Sequence, residues 1–165
     1  MAKSRVSFSN TSKIARAVRR ATGFALPVWS SPKFPPRPAQ LMQRKVRATV
    51  VCFRGDRLLL VSKDGSRWAL PGGRPGKTET YGDAAVRELQ EETALQARGL
   101  SFLFQVVGAT TVHHVFVANI GKSASAKPSK EIKRCQWFST EELAEVIVSA
   151  TTRRIITDFW KARAP

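Results

Sequence analysis

The chain has 165 residues, with 28 lysines and arginines against 12 aspartates and glutamates, for a formal net charge of +16. That length suits one domain with an appendage, and the charge favours polyanionic partners: nucleotides, phosphorylated small molecules, RNA or an anionic surface. No apolar run approaches about 18 residues, which excludes a membrane-spanning helix, and two cysteines form neither a zinc spacing nor a disulfide framework. Cys52 and Cys135 each sit among apolar or β-forming residues and read as reduced structural thiols in a cytoplasm-like compartment.

Residues 1–45 form a basic, proline-rich N-terminal arm, with ten lysines or arginines and no acidic residue; the first acid of the chain is Asp56. Residues 11–21 suit a short basic helix with Ile14 and Val18 on one side. Pro27, Pro32, Pro35, Pro36 and Pro38 then forbid a continuous helix or a central strand. An acid-free, Arg- and Ser-rich composition fits an organelle transit peptide, which would direct the protein to the mitochondrial matrix instead of the cytoplasm. It also fits a polyanion-binding tail. The favoured reading is an extended arm that packs on the domain through Phe24, Leu26, Val28 and Trp29.

From Val46 the pattern is regular, and residues 46–165 read as the folded domain. Val46–Phe53 and Arg57–Ser62 are predicted strands around an Arg54-Gly55-Asp56 turn. Trp68–Leu70 is a predicted short strand feeding the turn Pro71-Gly72-Gly73. Thr80–Thr93 is predicted helical, being rich in alanine and charge and free of proline. Leu100–Val107, Thr111–Ile120 and Ile132–Phe138 follow as strands, with a Ser/Lys/Ala/Pro loop at 121–130. Ser139-Thr-Glu-Glu142 has the capping-box pattern that opens a helix, and Thr151–Arg163 is a last helix with Ile155, Ile156, Phe159 and Trp160 able to pack inward. Mixed strands interleaved with such helices imply an α/β sandwich.

The helix after the glycine turn carries the chemistry. At about 100° per residue, Glu88, Glu91 and Glu92 fall within an arc of roughly 100°, with Ala85, Val86 and Leu89 to one side of it. Crowded carboxylates repel one another by a few tenths of a kcal/mol or more per i,i+4 pair. A divalent cation would neutralise them, and hard oxygen ligands select Mg2+ or Mn2+. Gly73, Glu79, Arg87, Glu88, Leu89, Glu91, Glu92 and Leu95 also match the spacing G-x5-E-x7-R-E-U-x-E-E-x-G-U, with U a bulky aliphatic. This stretch resembles the signature of the Nudix hydrolases, with Ala94 standing where the family has glycine. The resemblance spans Val46–Arg163 and implies a Nudix-like α-β-α sandwich with a mixed β-sheet and a catalytic loop-helix-loop.

The resemblance further implies hydrolysis of a diphosphate bond in a nucleoside diphosphate linked to another group, such as a nucleoside triphosphate, ADP-ribose or a dinucleoside polyphosphate. Diphosphoinositol polyphosphates and RNA 5′ ends are the alternative substrates, and a non-catalytic nucleotide- or RNA-binding module is the alternative class. Metal ligation is implied for Glu88, Glu91, Glu92 and the Gly73 carbonyl, catalysis for Glu88 and Glu91, and structural support for Glu79 with Arg87. Glu131, an isolated acid shortly before Trp137, is a further candidate base or ligand. His113 and His114 in one strand should point to opposite faces. His113, Trp68, Arg74 and Lys77 are candidate substrate contacts: Trp68 could stack on a base, and Arg74 and Lys77 flank the glycine loop where phosphate oxygens would lie. The expected partner is a phosphorylated small molecule, met by a monomer or homodimer.

Overall fold

The computed structural model describes residues 44–129 and 131–163. The readings of the N-terminal arm fall on residues 1–43 and lie outside the described residues, apart from Arg44 and Lys45. Arg44 donates through Nη1 to the Gly108 carbonyl, and Lys45 is already the first residue of a strand.

Among the described residues seven strands form two sheets. The first has the order β4-β1-β6-β5, from Gly72–Gly73 (β4), Lys45–Val51 (β1), Thr111–Ile120 (β6) and Ala97–Val107 (β5). It is mixed, because β1 and β6 run parallel while β4 and β5 pair antiparallel to their neighbours. The second, Phe53–Arg54 (β2), Arg57–Ser62 (β3) and Arg134–Phe138 (β7), is antiparallel in the order β2-β3-β7. Strand alternation splits the core into two layers. Ala48, Val50, Cys52 and Leu59 pack with Ala84, Ala85 and Leu89 of helix α1, Tyr81–Thr93. Val51, Leu58 and Leu60 pack on the opposite face with Ile155, Ile156 and Phe159 of helix α3, Ala150–Lys161. Each fully buried leucine or isoleucine there contributes about 2 kcal/mol. The α/β sandwich expected from the pattern is the observed architecture.

Several boundaries differ, each for a local reason. Trp68–Leu70 is not a strand: Ala69 and Trp68 make only isolated bridges, to Val61 and Val148. The glycine pair read as a turn is instead the two-residue strand β4, since residues without side chains can lie flat against β1. β7 begins at Arg134, and β5 extends back to Ala97, past Gly99. The capping box forms, with Ser139 N–H donating to Glu142 and Glu142 N–H to Ser139 Oγ at 2.7 and 3.3 Å. It opens only the single turn α2, Glu142–Glu145, because the chain turns extended at Val146.

Helix α1 is capped at both ends. Thr80 accepts from the Asp83 N–H at 3.1 Å, and Asp83 puts a negative charge in the first turn. Ala94 closes the helix with φ 57° and donates its N–H to the Gln90 carbonyl at 2.9 Å. That left-handed conformation favours glycine, and for alanine it costs roughly 1–2 kcal/mol. Ala94→Gly is therefore expected to stabilise the protein by about 0.5–1 kcal/mol after the added freedom of the unfolded chain is counted, raising the melting midpoint in a thermal scan by a few degrees. An unchanged or lowered midpoint would contradict the strained cap.

Candidate active site

The site begins where β4 crosses α1. Ala48 pairs with Gly73 and Thr49 with Gly72, and the Val50 N–H donates to the Pro71 carbonyl at 2.8 Å. Gly72 holds φ 146°, and a β-carbon there would collide with the Ala48 carbonyl. A β-carbon on Gly73 would collide with the Glu88 carboxylate. The first glycine thus lets two backbones approach, and the second leaves room for an acid side chain directly behind the chain. Gly72 also donates its N–H to Glu92 Oε2 at 2.9 Å.

Arg87 gathers the remaining acids, and all five of its N–H groups are occupied. Nε and Nη2 form a fork on Glu79, at 2.9 and 3.1 Å, and Nη2 also reaches the Arg74 carbonyl at 3.1 Å. Nη1 donates to Glu88 Oε1 at 2.7 Å and to Glu91 Oε2 at 2.8 Å. Hydrogen bonding to Arg87, then to the Gly76 N–H, holds the Glu79 carboxyl below the usual range. Three carboxylates and one carbonyl therefore close around a single guanidinium, which offsets the repulsion expected along this helix face.

Glu92 differs from its neighbours. It is 8% exposed, and burial raises its carboxyl pKa, with Gly72 and Arg47 opposing the shift. It also forms part of the wall of a cleft of about 380 Å3 whose lining includes neither Arg87 nor Glu88 and Glu91. Arg47 and Thr49 come to this cleft from β1, Lys63 from the end of β3, Arg67 and Trp68 from the following loop, and His113 from β6.

The donor chemistry suits a hard divalent cation in part. Glu88 and Glu91 already converge on one positively charged nitrogen, beside the Gly73 backbone. Glu92 is turned to Gly72, and among the described residues no three acid, histidine or thiol groups stand close enough together to hold an ion as they are.

The NUDIX domain family matches residues 43–159 of this chain. The chain belongs to the Nudix family. Human diphosphoinositol polyphosphate phosphohydrolase 3-alpha is 42% identical over 118 residues, covering 62% of this chain and 69% of the relative. A Mycobacterium tuberculosis protein provisionally named 8-oxo-dGTP diphosphatase 3 is 33% identical over 95 residues, and the chain spans only 44% of that relative's length. Among solved structures, the bifunctional NMN adenylyltransferase/ADP ribose pyrophosphatase of Francisella tularensis, complexed with AMP and a Mn ion, aligns over 80% of this chain and 44% of its own. Its TM-score is 0.60 at 22% identity, a likeness of fold.

The other residues singled out from the Nudix sequence scatter. Trp68 is a core residue in a T-shaped contact with Phe138, ring centroids 4.7 Å apart, and also lines the cleft. His113 lines the cleft, its Nδ1 at 2.9 Å from Thr49 Oγ1; burial, then repulsion from Arg47, lowers its pKa to about 4. His114 points to the other face, stacked on Tyr81 at 3.9 Å. Arg74 joins the Arg87 cluster through its carbonyl, and Lys77 is exposed in the loop before α1. Glu131 lies apart, 78% exposed and bonded to Lys63 at 2.7 Å. Sequence reasoning missed Arg47, Thr49, Lys63 and Arg67. The available signal was the polar series Lys45, Arg47 and Thr49, alternating with Val46, Ala48 and Val50 in β1.

Burial makes Glu92 a pH-dependent element of the metal-free protein. Its folded pKa exceeds the unfolded one, so its contribution to stability is complete below the unfolded value of about 4.3 and is lost as pH rises through the folded pKa. In a chelating buffer Glu92→Gln, which keeps an acceptor for the Gly72 N–H, is expected to melt above wild type at pH 7, with the gap closing towards pH 4. Equal midpoints at pH 7 would contradict the burial assignment.

Proposed function

We propose that the protein hydrolyses a diphosphate bond in a phosphorylated compound of the nucleoside-diphosphate-linked type, using a divalent cation, Mg2+ or Mn2+. The observation that carries this reading is the convergence of Glu88 and Glu91 on one cationic nitrogen beside Gly73, next to a cleft walled by Glu92 and basic residues. Glu88, Glu91 and Glu92, with the Gly73 carbonyl, are the oxygens that would hold the ion. When bound, a divalent cation offsets the charge of the diphosphate and activates water. Membership of the Nudix family and the diphosphate-cleaving names of its relatives support the reaction class.

The chain's own residues have separable tasks. Glu88, wedged between Gly73 and Arg87, is the carboxylate assigned to take the proton of the attacking water. Arg87 stays anchored on Glu79 by two bonds, so the cluster keeps its position even where Nη1 yields an acid to another cation. Arg47 and Arg67 meet the anionic substrate in the cleft. Glu131, paired with Lys63 of the cleft wall, is the alternative proton acceptor from outside the helix.

Glu88→Gln is expected to lower kcat roughly 10²–10⁴-fold at saturating Mg2+, the range for loss of a positioned acid–base group, with circular dichroism unchanged. Mg2+ should also raise the melting midpoint of the wild type more than that of Glu91→Gln, because a ligand of the native state alone stabilises it by mass action. Near-normal turnover in Glu88→Gln, together with equal midpoint shifts, would remove the reading.

A further inference from the structure

Helix α1 ends without the usual means of closing a helix. Ala94 takes the left-handed position that favours glycine, with φ 57°, and the last turn holds no basic residue to meet its carbonyls. The Thr93 hydroxyl meets the Leu89 carbonyl at 2.6 Å. The Thr93 carbonyl itself is met from outside the helix, by the Lys127 N–H at 2.9 Å. This last turn carries Glu91 and Glu92, so a loop distant in sequence supplies the cap beside two of the acids of the site.

Lys127 belongs to the loop between β6 and β7, and Arg54 of β2 holds that loop. Its Nη2 donates to the Gly121 carbonyl at 3.2 Å and also to the Ala124 carbonyl. The guanidinium lies over Trp137 of β7, 4.5 Å from the ring centroid. Ala124 and Ala126 of the loop pack against the core layer that contains Leu89 and Leu95, on either side of the helix end. Arg54 makes no ion pair among the described residues, and its Nε is buried without a partner. A guanidinium kept there despite that cost, and fixed on two loop carbonyls and a ring, serves to pin the loop.

We propose that Arg54 is a positioning residue for the hydrolase site: by pinning the loop it holds the Lys127 N–H as the cap of α1, which offsets the strain at Ala94 and keeps Glu91 and Glu92 in register for the cation. The inference rests on the hydrolase reading for its consequence and on the cap geometry for its mechanism. Helix ends open locally at little cost, so losing one cap bond beside a strained residue raises the frayed population. An ion that needs the closed turn then binds more weakly, in proportion to the closed fraction lost. Simple electrostatics predicts the opposite sign, because removing a positive charge at Arg54 or Lys127 favours a cation.

Amide hydrogen exchange and Mn2+ titration of the full-length, metal-free protein test the brace. In Arg54→Met the Lys127 and Ala94 amides are expected to exchange roughly fivefold faster, about the loss of one hydrogen bond. Mn2+ affinity, read from the electron paramagnetic resonance of the free ion, should fall roughly two- to fivefold. Lys127→Pro removes the capping N–H from an exposed position and should reproduce the Ala94 and Mn2+ effects. Adding Ala94→Gly to either variant should bring Mn2+ affinity back to within about twofold of wild type, since the relaxed turn closes without the loop. The Mg2+ concentration for half-maximal turnover should rise by the same factor, with kcat and KM at saturating Mg2+ unchanged.

Unchanged Mn2+ affinity in both variants would reduce Arg54 to a fold-stabilising residue and overturn the proposal. A loss of affinity that Ala94→Gly does not restore would place the effect away from the cap and overturn it as well. Wild-type Mn2+ binding that Glu91→Gln leaves intact would overturn the metal reading itself. Exchange at Ala94, faster or unchanged in the two variants, would then uphold or overturn the cap on its own.

Discussion

Arg87 is the constraint on which the site depends. A guanidinium has five N–H donors in a fixed plane, and here each has an acceptor: Glu79 twice, Glu88, Glu91 and the Arg74 carbonyl. The acids of one helix face would otherwise repel, and the loop before the helix would otherwise be tied to it only through the backbone. One side chain therefore joins the loop to the helix and keeps two carboxylates close together. Glu79 is the anchor that lets this happen, because its fork with Nε and Nη2 leaves Nη1 directed at Glu88 and Glu91. Lysine, with one charged nitrogen, could not bridge the same four groups.

The glycines complete the arrangement from the strand side. Gly72 and Gly73 pair with β1, which fixes the loop against the mixed sheet, and the missing side chain of Gly73 is where Glu88 sits. The same pairing points the Gly72 N–H at Glu92. The three glutamates of α1 are thus divided: two face Arg87, and one is buried on the side of the cleft. A helix placed by sheet packing, through Ala84, Ala85 and Leu89, holds all three in register. The positive cleft beyond Glu92 then continues the site outward, and the charge of the chain as a whole favours the approach of anionic substrates.

Much of this was legible in the sequence, and the limits are physical. Helix α1 was readable because its apolar and acidic residues repeat at helical spacing and Thr80 supplies a cap. The strands β1, β3 and β6 were readable from short runs of aliphatic and β-branched residues, and the two-layer core follows from their alternation. The Gly72–Gly73 pairing was not, since residues without side chains leave no periodic trace. Trp68 looked available for stacking because nothing in its neighbours signals that Phe138, seventy residues on, meets its ring. Arg47 and His113 come together only through the parallel register of β1 with β6, a long-range pairing that local pattern does not encode. Ala94 was noticed as a departure from the family spacing, and the left-handed φ of 57° shows where its strain is felt. The fold was thus read well and the acidic cluster in outline, while the cleft wall emerged only with the tertiary structure.

The most direct measurement is an anomalous difference map from a crystal soaked in Mn2+. The expected result is a peak between the carboxylates of Glu88 and Glu91 beside Gly73, with Arg87 still forked on Glu79. A peak located instead at Glu131 or His113, or Arg87 released from Glu79 when the ion is bound, would contradict a site organised around this guanidinium.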